Sequence, residues 1–556
     1  MKRTVCLLFC GYVLFAGRSL AGAEEFTNAI RALLADHVDL EKKSAGVVVG
    51  IIDEHGASVV SWGRADDGAS AEVNGETVFE IGSITKTFTG LLLQDMVERG
   101  EMNLNDPVAK YLPASARVPA HNGSQITLLH LATHTSGLPL DPENLTPESW
   151  KEPYAGYSMD KLLAFLSGFE PPYDPGTGYR YSNVGMALLA DAITRKAGTN
   201  FEALVQERIC EPLGMGSTRI VLTPAMAARR ACGHGWFGKP EEDMVFAESL
   251  CGAGALHSTV NDLLKYLAAN LGFTANRLTR LMEKTHEVSL QGQAPGWGVS
   301  GDWVSKNGGT LGFTSTITMD IKRRRGVVAL SNKAFDMELP SIGAIILRSE
   351  WQATDRPGAV NLKKSVLEAC VGQYRQGANF TAGICSEGGR LFLQLDGQPL
   401  QEILPESETT YFTRMGGRRL TFDRNKGGSV TELVMEVNGS QATLARISSD
   451  PPETHRPPKP PAFVRGSAET MAEWAGEFRL PSGKILQISP KGDHLEAHYE
   501  KWMAFDMWPE SAAKFGSDAL PLDATFAGDG GKNGSVMIRC PLFDAEFTGK
   551  ASRIGR

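Results

Sequence analysis

The chain has 556 residues, 60 of them glycine and 29 proline, and a formal net charge of −8. Such a length exceeds what a single hydrophobic core serves, and a mildly acidic balance excludes the basic footprint of a nucleic-acid binder. Two of the eight cysteines, Cys6 and Cys10, lie in the apolar segment at the start of the chain and none of the other six has a zinc-site spacing, so neither a metal nor a cofactor is expected.

The chain opens with Met1-Lys2-Arg3, an apolar run from Val5 to Ala16, and Ala21-Gly22-Ala23. A basic start, a short apolar core and a small-residue end predict a secretory signal over 1–23, cut after Ala23. The run falls short of the ~18–20 residues a membrane span needs, so the mature chain is expected without one, in a secreted, periplasmic or extracellular location. Cleavage removes Lys2, Arg3 and Arg18 and no acid, taking the formal charge from −8 to −11. Export permits disulfides, and Cys232 with Cys251 and Cys370 with Cys385 are the pairs suggested by proximity along the chain.

Residues 46–53 and 58–62 read as a hairpin around Glu54-His55-Gly56. Next comes Phe79-Glu80-Ile81-Gly82-Ser83-Ile84-Thr85-Lys86 at the start of an apolar helical run. Residues three apart share a helix face, so the Lys86 amine is expected one turn above the Ser83 hydroxyl. Serine becomes a nucleophile when a neighbouring base takes its proton, and backbone N–H groups at a helix start can hold an oxyanion. The spacing alone is weak evidence, because Ser511-Ala512-Ala513-Lys514 repeats it in a strand-like, Gly-rich segment and reads as coincidence.

Farther on, His130 and His134 stand four apart, but Leu131 occupies the place where a zinc peptidase carries its glutamate, so metal binding is not expected. Tyr181-Ser182-Asn183 then precedes an apolar helical run over 184–193. Lys306-Asn307-Gly308-Gly309-Thr310 precedes an alternating strand over 313–320, which pairs in expectation with 327–331. Between those strands Arg323, Arg324 and Arg325 read as a solvated hairpin turn. A final helix is expected near 339–351.

Ser-x-x-Lys, Tyr-x-Asn and Lys-Asn-Gly in this order resemble the boxes of penicillin-recognising enzymes. With segments 100–113, 126–139, 212–215 and 258–262, residues 27–350 resemble the class C β-lactamases and their relatives, the DD-peptidases, D-aminopeptidases and family VIII esterases. The resemblance implies an α+β, β-lactamase/transpeptidase-like domain over 24–355, an antiparallel sheet flanked by helices and a helical subdomain, with the site in the cleft between. It implies Ser83 as nucleophile and Lys86 as its partner, sharing the base role with Tyr181. A free phenol titrates near pH ~10, so that role requires the nearby lysines. Asn183 is expected to bond Lys86 and the substrate's acyl amide, and Lys306 to face a substrate carboxylate. Asn307, Gly308 and Gly309 are expected to line the substrate strand, with the Gly309 N–H joining that of Ser83 in an oxyanion hole. Thr85 stands where class C enzymes favour Ser or Ala, and Asp141 near where many carry a substrate-binding Gln.

Past the break at 353–357, Cys370-Val371-Gly372-Gln373-Tyr374-Arg375 returns 104 residues later as Trp474-Ala475-Gly476-Glu477-Phe478-Arg479. Each copy opens a run of short alternating strands with Gly-rich turns, which predicts two antiparallel β-barrel-like domains, 365–449 and 463–556. A proline-rich linker over 450–462 separates them. By resemblance to D-aminopeptidases a barrel shapes the cleft; read plainly the barrels are spacers, and sequence leaves both open.

The expected function is an exported serine hydrolase acting through an acyl-enzyme on amide bonds, a class C-like β-lactamase in the first reading. The alternatives are a DD-carboxypeptidase/endopeptidase or D-aminopeptidase, an esterase, and a penicillin- or muropeptide-binding sensor that hardly turns over. The expected partner is a β-lactam or a D-amino-acid peptide, with cell-wall contact through the barrels and no nucleic acid.

Overall fold

The computed structural model describes residues 20–554 apart from 67–70, 146–151, 288–289, 350–358, 378–379, 396–397, 416, 438–439, 453–462, 465–466, 482, 500–502, 512, 518–521, 528–534 and 540–548. Residues 1–19 of the expected signal, 453–462 of the expected linker and Cys540 lie outside the described residues.

Helix α1 (Leu20–Ala35) leads into the hairpin β1 (Gly46–Asp53) and β2 (Gly56–Gly63). Helices α2 (Thr85–Glu98), α3 (Asn183–Ala197) and α4 (Val260–Asn270) follow. The chain then returns through β3 (Gln293–Ala294), β4 (Trp297–Ser300), β5 (Trp303–Gly309), β6 (Thr314–Asp320), β7 (Arg325–Ser331) and α5 (Leu339–Arg348). The seven strands form one sheet in the order β2-β1-β7-β6-β5-β4-β3, antiparallel throughout. Both ends of this part of the chain thus build one sheet, as expected from strands at its ends and helices between.

β1 is buried along its whole length because helices cover both faces of the sheet. Val47, Val49 and Ile51 pack with Ile30 and Leu34 of α1 and Ile342 and Ile346 of α5. Val48 and Ile52 point the other way, into the large cluster that contains Phe88, Leu91 and Leu92 of α2 and Val184 and Leu188 of α3. α2 is buried on almost every side, so its threonines find partners inside: Thr89 Oγ1 donates to the Gly252 carbonyl at 2.8 Å, and Thr85 Oγ1 accepts from Leu256 N at 3.2 Å.

The β6–β7 hairpin turns at 321–324 as expected, but Arg324 is more than a solvated turn residue. Its guanidinium donates to the carbonyls of Leu271 and Gly272, just past the end of α4, and lies 4.5 Å from the Phe273 ring centroid. A cation there meets carbonyls that the helix cannot satisfy itself.

Beyond α5 the chain forms two closed antiparallel barrels of eight strands each, one from Gly372–Gln376 to Ser440–Ser448 and one from Gly476–Arg479 to Gly549–Arg553. Their sequence repeat has a packing cause. Gly372 and Gly476 open the first strands with φ of 154° and 156°. A Cβ on either would collide with an arginine of the closing strand, Arg446 or Arg553. Each arginine crosses that space to donate to the carbonyl before the glycine, Val371 or Ala475, and lies over the repeat aromatic, Tyr374 or Phe478.

The first barrel docks on the α1/α5 side of the sheet. Arg390 Nη2 pairs with Asp36 at 2.6 Å, Leu400 N donates to Glu41 at 3.2 Å, and Met415 joins the α1/α5 cluster. The hydrogen bonds and ion pairs described for the second barrel run within it.

The expected disulfides are not formed. Cys210, Cys251, Cys370 and Cys385 are free thiols, so neither Cys232–Cys251 nor Cys370–Cys385 is bridged. Strand alternation separates one expected pair: Ile384 faces the first barrel's interior with Cys370, which sends Cys385 outward to Phe392, Leu400 and Leu40.

Candidate active site

Ser83 lies in a single 3₁₀ turn, Gly82–Ile84, that runs straight into α2. Lys86 is therefore in the first turn of α2, on the same face as Ser83, and its Nζ donates to Ser83 Oγ at 3.0 Å. It also donates to Asn183 Oδ1 at 2.8 Å and to the Ala253 carbonyl at 2.6 Å. Lys86 is fully buried, and burial pulls its amine down to about 7.

Tyr181 and Asn183 flank Ser182, the N-cap of α3, whose Oγ accepts from Gly185 N at 2.8 Å and donates to the Pro139 carbonyl at 2.6 Å. The cap fixes the chain where it enters the helix. Tyr181 OH donates to Ser83 Oγ at 2.7 Å, as the lysine also does, while Asn183 Oδ1 accepts from the lysine. The Tyr181 ring centroid is 4.9 Å from Lys86 Nζ and 4.8 Å from Lys306 Nζ.

Lys306 comes from β5, where strand alternation buries Lys306 and Gly308 and exposes Asn307 and Gly309. Burial lowers the Lys306 amine to about 8, with Tyr181 opposing the shift. Asn307 is turned to the other face and accepts from Thr316 Oγ1 at 2.8 Å. Gly308 is the point of closest approach: a Cβ there would lie 2.1 Å from the Ile81 carbonyl and 2.9 Å from Ser83 N. Ser315 Oγ on β6 donates to that same Ile81 carbonyl at 2.8 Å, tying the Ser83 turn to the sheet. Gly309 packs against Gly82, whose φ of 47° leaves no room for a side chain.

Three participants have roles that sequence reasoning did not assign: Tyr154 was not singled out, Asp141 was noted only for lying near a substrate-binding position, and His134 only for its spacing from His130. Asp141 Oδ1 accepts from Asn183 Nδ2 at 3.1 Å and from Tyr154 OH at 3.0 Å, and Tyr154 OH also accepts from Asn183 at 3.2 Å. Both described contacts of the Asn183 amide nitrogen are therefore internal, although a substrate contact was expected of it. Burial raises the Asp141 carboxyl above the ordinary range. The third is His134, in a left-handed conformation at φ 58°, whose ring lies 4.5 Å from that of Tyr181. Its Nδ1 accepts from Ser182 N at 3.2 Å and its carbonyl from Arg180 N at 2.9 Å, so it braces the Tyr181 backbone from both sides. Burial, with Lys306 and Lys86 adding to it, holds His134 well below the usual imidazole range, hence neutral. His130 is elsewhere in role, accepting from Thr127 N in a helix-capping box.

The second Ser-x-x-Lys has no such company. Lys514 Nζ is paired with Glu510 at 2.7 Å and Asp523 at 3.2 Å, and Ser511 Oγ accepts from Lys514 N in a turn.

The beta-lactamase family model matches residues 26–347, more than half of the chain. The chain belongs to the beta-lactamase family. It is accordingly a serine hydrolase of the β-lactamase/DD-carboxypeptidase kind. Residues 356–447, which contain the first barrel, match a domain of unknown function (DUF3471). Among curated relatives, a beta-lactamase of Escherichia coli K12 is 27% identical over 60% of this chain and 95% of its own length. The D-alanyl-D-alanine-carboxypeptidase/endopeptidase AmpH of the same organism is 27% identical over 56% and 85%, and penicillin-binding protein 4* of Bacillus subtilis is 26% identical over 69% and 91%. In fold, a class C beta-lactamase structure superposes with a TM-score of 0.52 at 22% identity, covering 59% of this chain and 99% of its own. Among the described residues, no helix is long and apolar enough to cross a membrane.

Proposed function

We propose that this serine hydrolase is exported and works through an acyl-enzyme on Ser83, hydrolysing the amide bond of β-lactams in the manner of a class C enzyme. The observation that carries the reading is the convergence on Ser83 Oγ of the Lys86 amine at 3.0 Å and the Tyr181 hydroxyl at 2.7 Å. Ser83 Oγ attacks the amide carbonyl carbon; its proton leaves into the Lys86–Tyr181 pair, and the C–N bond breaks as that pair returns a proton to the departing nitrogen. Water then cleaves the ester by the same route in reverse order. Lys86, brought to about 7 by burial, can exchange a proton at neutral pH, and Lys306 nearby is brought to about 8.

The backbone N–H groups of Ser83 and Gly309 form the oxyanion site, Gly308 supplying the close approach that brings strand and turn together. Lys306, beside Tyr181, takes the carboxylate of the leaving part. A second reading, action on short peptides by a DD-peptidase or aminopeptidase, is supported by Asp141, an acid among the site's neighbours, and by a relative named as a D-alanyl-D-alanine-carboxypeptidase/endopeptidase. A pulse of fluorescent penicillin followed by a chase tests the reading: label mapping to Ser83 and lost with turnover is expected. Label on another residue would refute it, and label that persists through the chase would make the protein a sensor.

A further inference from the structure

We infer that His37, Glu41 and Glu338 form a binding site for one divalent metal ion of the zinc type, buried where the catalytic part meets the first barrel. The site is separate from Ser83, and the inference does not depend on which bond Ser83 cleaves.

Helix α1 runs on into a wider π-turn, Asp36–Leu40, closed by Glu41 N donating to the Asp36 carbonyl at 2.9 Å. That turn sets His37 and Glu41 side by side, and Glu338, the residue before α5, meets them from the other end of the domain. His37 Nδ1 stands 3.9 Å from Glu41 Oε1 and 3.8 Å from Glu338 Oε2, and one ligand atom from each of the three residues lies within 4.8 Å of the others. His37 is wholly buried, and Glu41 and Glu338 are 5% and 6% exposed.

Spacings of 3.8 and 3.9 Å are too long for hydrogen bonds, so a proton on Nδ1 would find no acceptor. Among the described residues neither His37 Nδ1 nor Glu338 Oε2 has a hydrogen-bond partner. Buried polar atoms left in that state are costly, and three lone pairs converging on one point are satisfied together by a cation. Two ligand atoms each ~2.1 Å from a zinc ion can stand up to ~4.2 Å apart, so both spacings from Nδ1 fit a shared ion.

The far side of the imidazole is prepared as well. His37 Nε2 donates to Asp336 Oδ2 at 2.8 Å, which leaves the ring lone pair on Nδ1 and is the support a carboxylate gives to a metal-bound histidine. Asp336 is itself anchored, its N–H donating to Thr314 Oγ1 at 3.0 Å. Three carboxylates, Glu41, Glu338 and Asp336, thus face two ammonium groups, Lys43 on Glu338 Oε1 at 3.0 Å and Lys333 near Asp336. An imidazole with two carboxylates suits zinc better than calcium or magnesium, which favour oxygen alone. The trio Glu80, Asp243 and His257 is also close-set, but Arg230 pairs with Asp243 and already brings a cation there.

Burial gives the ion a structural task. Glu41 Oε1 also accepts from Leu400 N of the first barrel at 3.2 Å, so an ion on Glu41 and Glu338 ties α1, the lead into α5 and that barrel together. No spacing in the sequence marks the site, since Asp336 lies 299 residues from His37.

The test counts zinc in the full chain by elemental mass spectrometry, as purified and again after EDTA treatment, incubation with ZnCl2 and desalting. One zinc per chain should be retained, and its return should raise the melting temperature by roughly 3 °C or more. His37→Gln and Glu338→Gln should each cut the retained zinc at least tenfold, while His121→Gln, at a surface histidine paired with Asp174, should keep it. Anomalous diffraction at the zinc edge from wild-type crystals locates the ion without requiring any variant to fold, and a peak between His37, Glu41 and Glu338 is expected. A wild type that retains no zinc, a peak only elsewhere in the molecule, or retention unchanged in both folded variants would overturn the inference.

Discussion

The Tyr181 hydroxyl donates to Ser83 Oγ at 2.7 Å while the Tyr181 ring lies between 4 and 5 Å from two lysine amines, those of Lys86 and Lys306. The lysines differ in origin, one from the helix that starts beside Ser83 and the other from the sheet. Each is fully or almost fully buried, with its amine lowered by that burial to about 7 and about 8. The relationship makes the site sensitive to each partner in a distinguishable way.

Replacement of Ser83 by Ala removes the group on which both proton carriers converge, so covalent labelling by penicillin or a phosphonate should disappear. Intact-mass spectrometry of the labelled wild type and variant gives the answer. The decoy Ser511 should stay unlabelled in both, its lysine being committed to Glu510 and Asp523.

Lys306→Ala should discriminate between substrates. A charged hydrogen bond contributes about 1.5–3 kcal/mol, so kcat/KM for a substrate with a free carboxylate should fall roughly tenfold to a hundredfold more than for a neutral ester. Equal losses would assign Lys306 to proton transfer through Tyr181 instead.

The pH profile follows from the two lowered lysines. Below about 7 the Lys86 amine is protonated and cannot take the Ser83 proton, so acylation should fall by about tenfold per pH unit and level off above that value. Above about 8 Lys306 loses its charge, which should lower kcat/KM for carboxylate-bearing substrates and leave neutral esters on the plateau. Stopped-flow acylation with one substrate of each kind checks this: a bell for the first and a single rising limb for the second. His134 adds no limb near neutrality, since its lowered basicity keeps it neutral throughout.

How much of this was legible in the sequence depended on whether an interaction is encoded by spacing. Ser83 and Lys86 are three apart on one helix, so periodicity alone brought them together, and β5 was marked by Gly308 and Gly309. The order of strands and helices likewise followed from alternation and from the hairpin at 53–56. Asp141 and the Ala253 carbonyl were invisible as Asn183 and Lys86 partners, because they approach through tertiary folding: Asp141 lies 42 residues from Asn183 and Ala253 lies 167 from Lys86. His134 was read for its spacing from His130, yet its role comes from a left-handed backbone that no periodicity announces. The expected disulfides failed for the same reason, since closeness along the chain said nothing about which face of a strand Cys385 would take.

Gly308→Ala should damage the site directly. A Cβ at that position would lie 2.1 Å from the Ile81 carbonyl, 2.4 Å from Ser315 Oγ and 2.9 Å from Ser83 N. Two of these are backbone atoms, so the strand and the Ser83 turn must separate, and the oxyanion donors separate with them. A loss of about 10²–10³ in kcat is expected, the range for removal of one oxyanion donor. Gly309→Ala, with only the Phe313 carbonyl at 4.0 Å, should be far milder. A reversed order of the two variants would mean that β5 does not supply the oxyanion site.

Truncation after Asp450 tests the second barrel. That barrel encloses its own core, from Met471 and Trp474 to Ala551, and its described hydrogen bonds are internal. The first barrel is different, held to α1 and its following turn by Arg390–Asp36 and Leu400–Glu41 and to the α1/α5 cluster by Met415, on the sheet face opposite α2. The truncated chain should therefore fold, with the catalytic part melting within a few degrees of the full chain, and it should keep Ser83 labelling. If the second barrel narrows the cleft, the ratio of kcat/KM for a chromogenic cephalosporin to that for a D-alanyl anilide should rise on truncation. An unchanged ratio with unchanged melting would make the second barrel a spacer or a binding module, and would place substrate selection within the catalytic part and the first barrel.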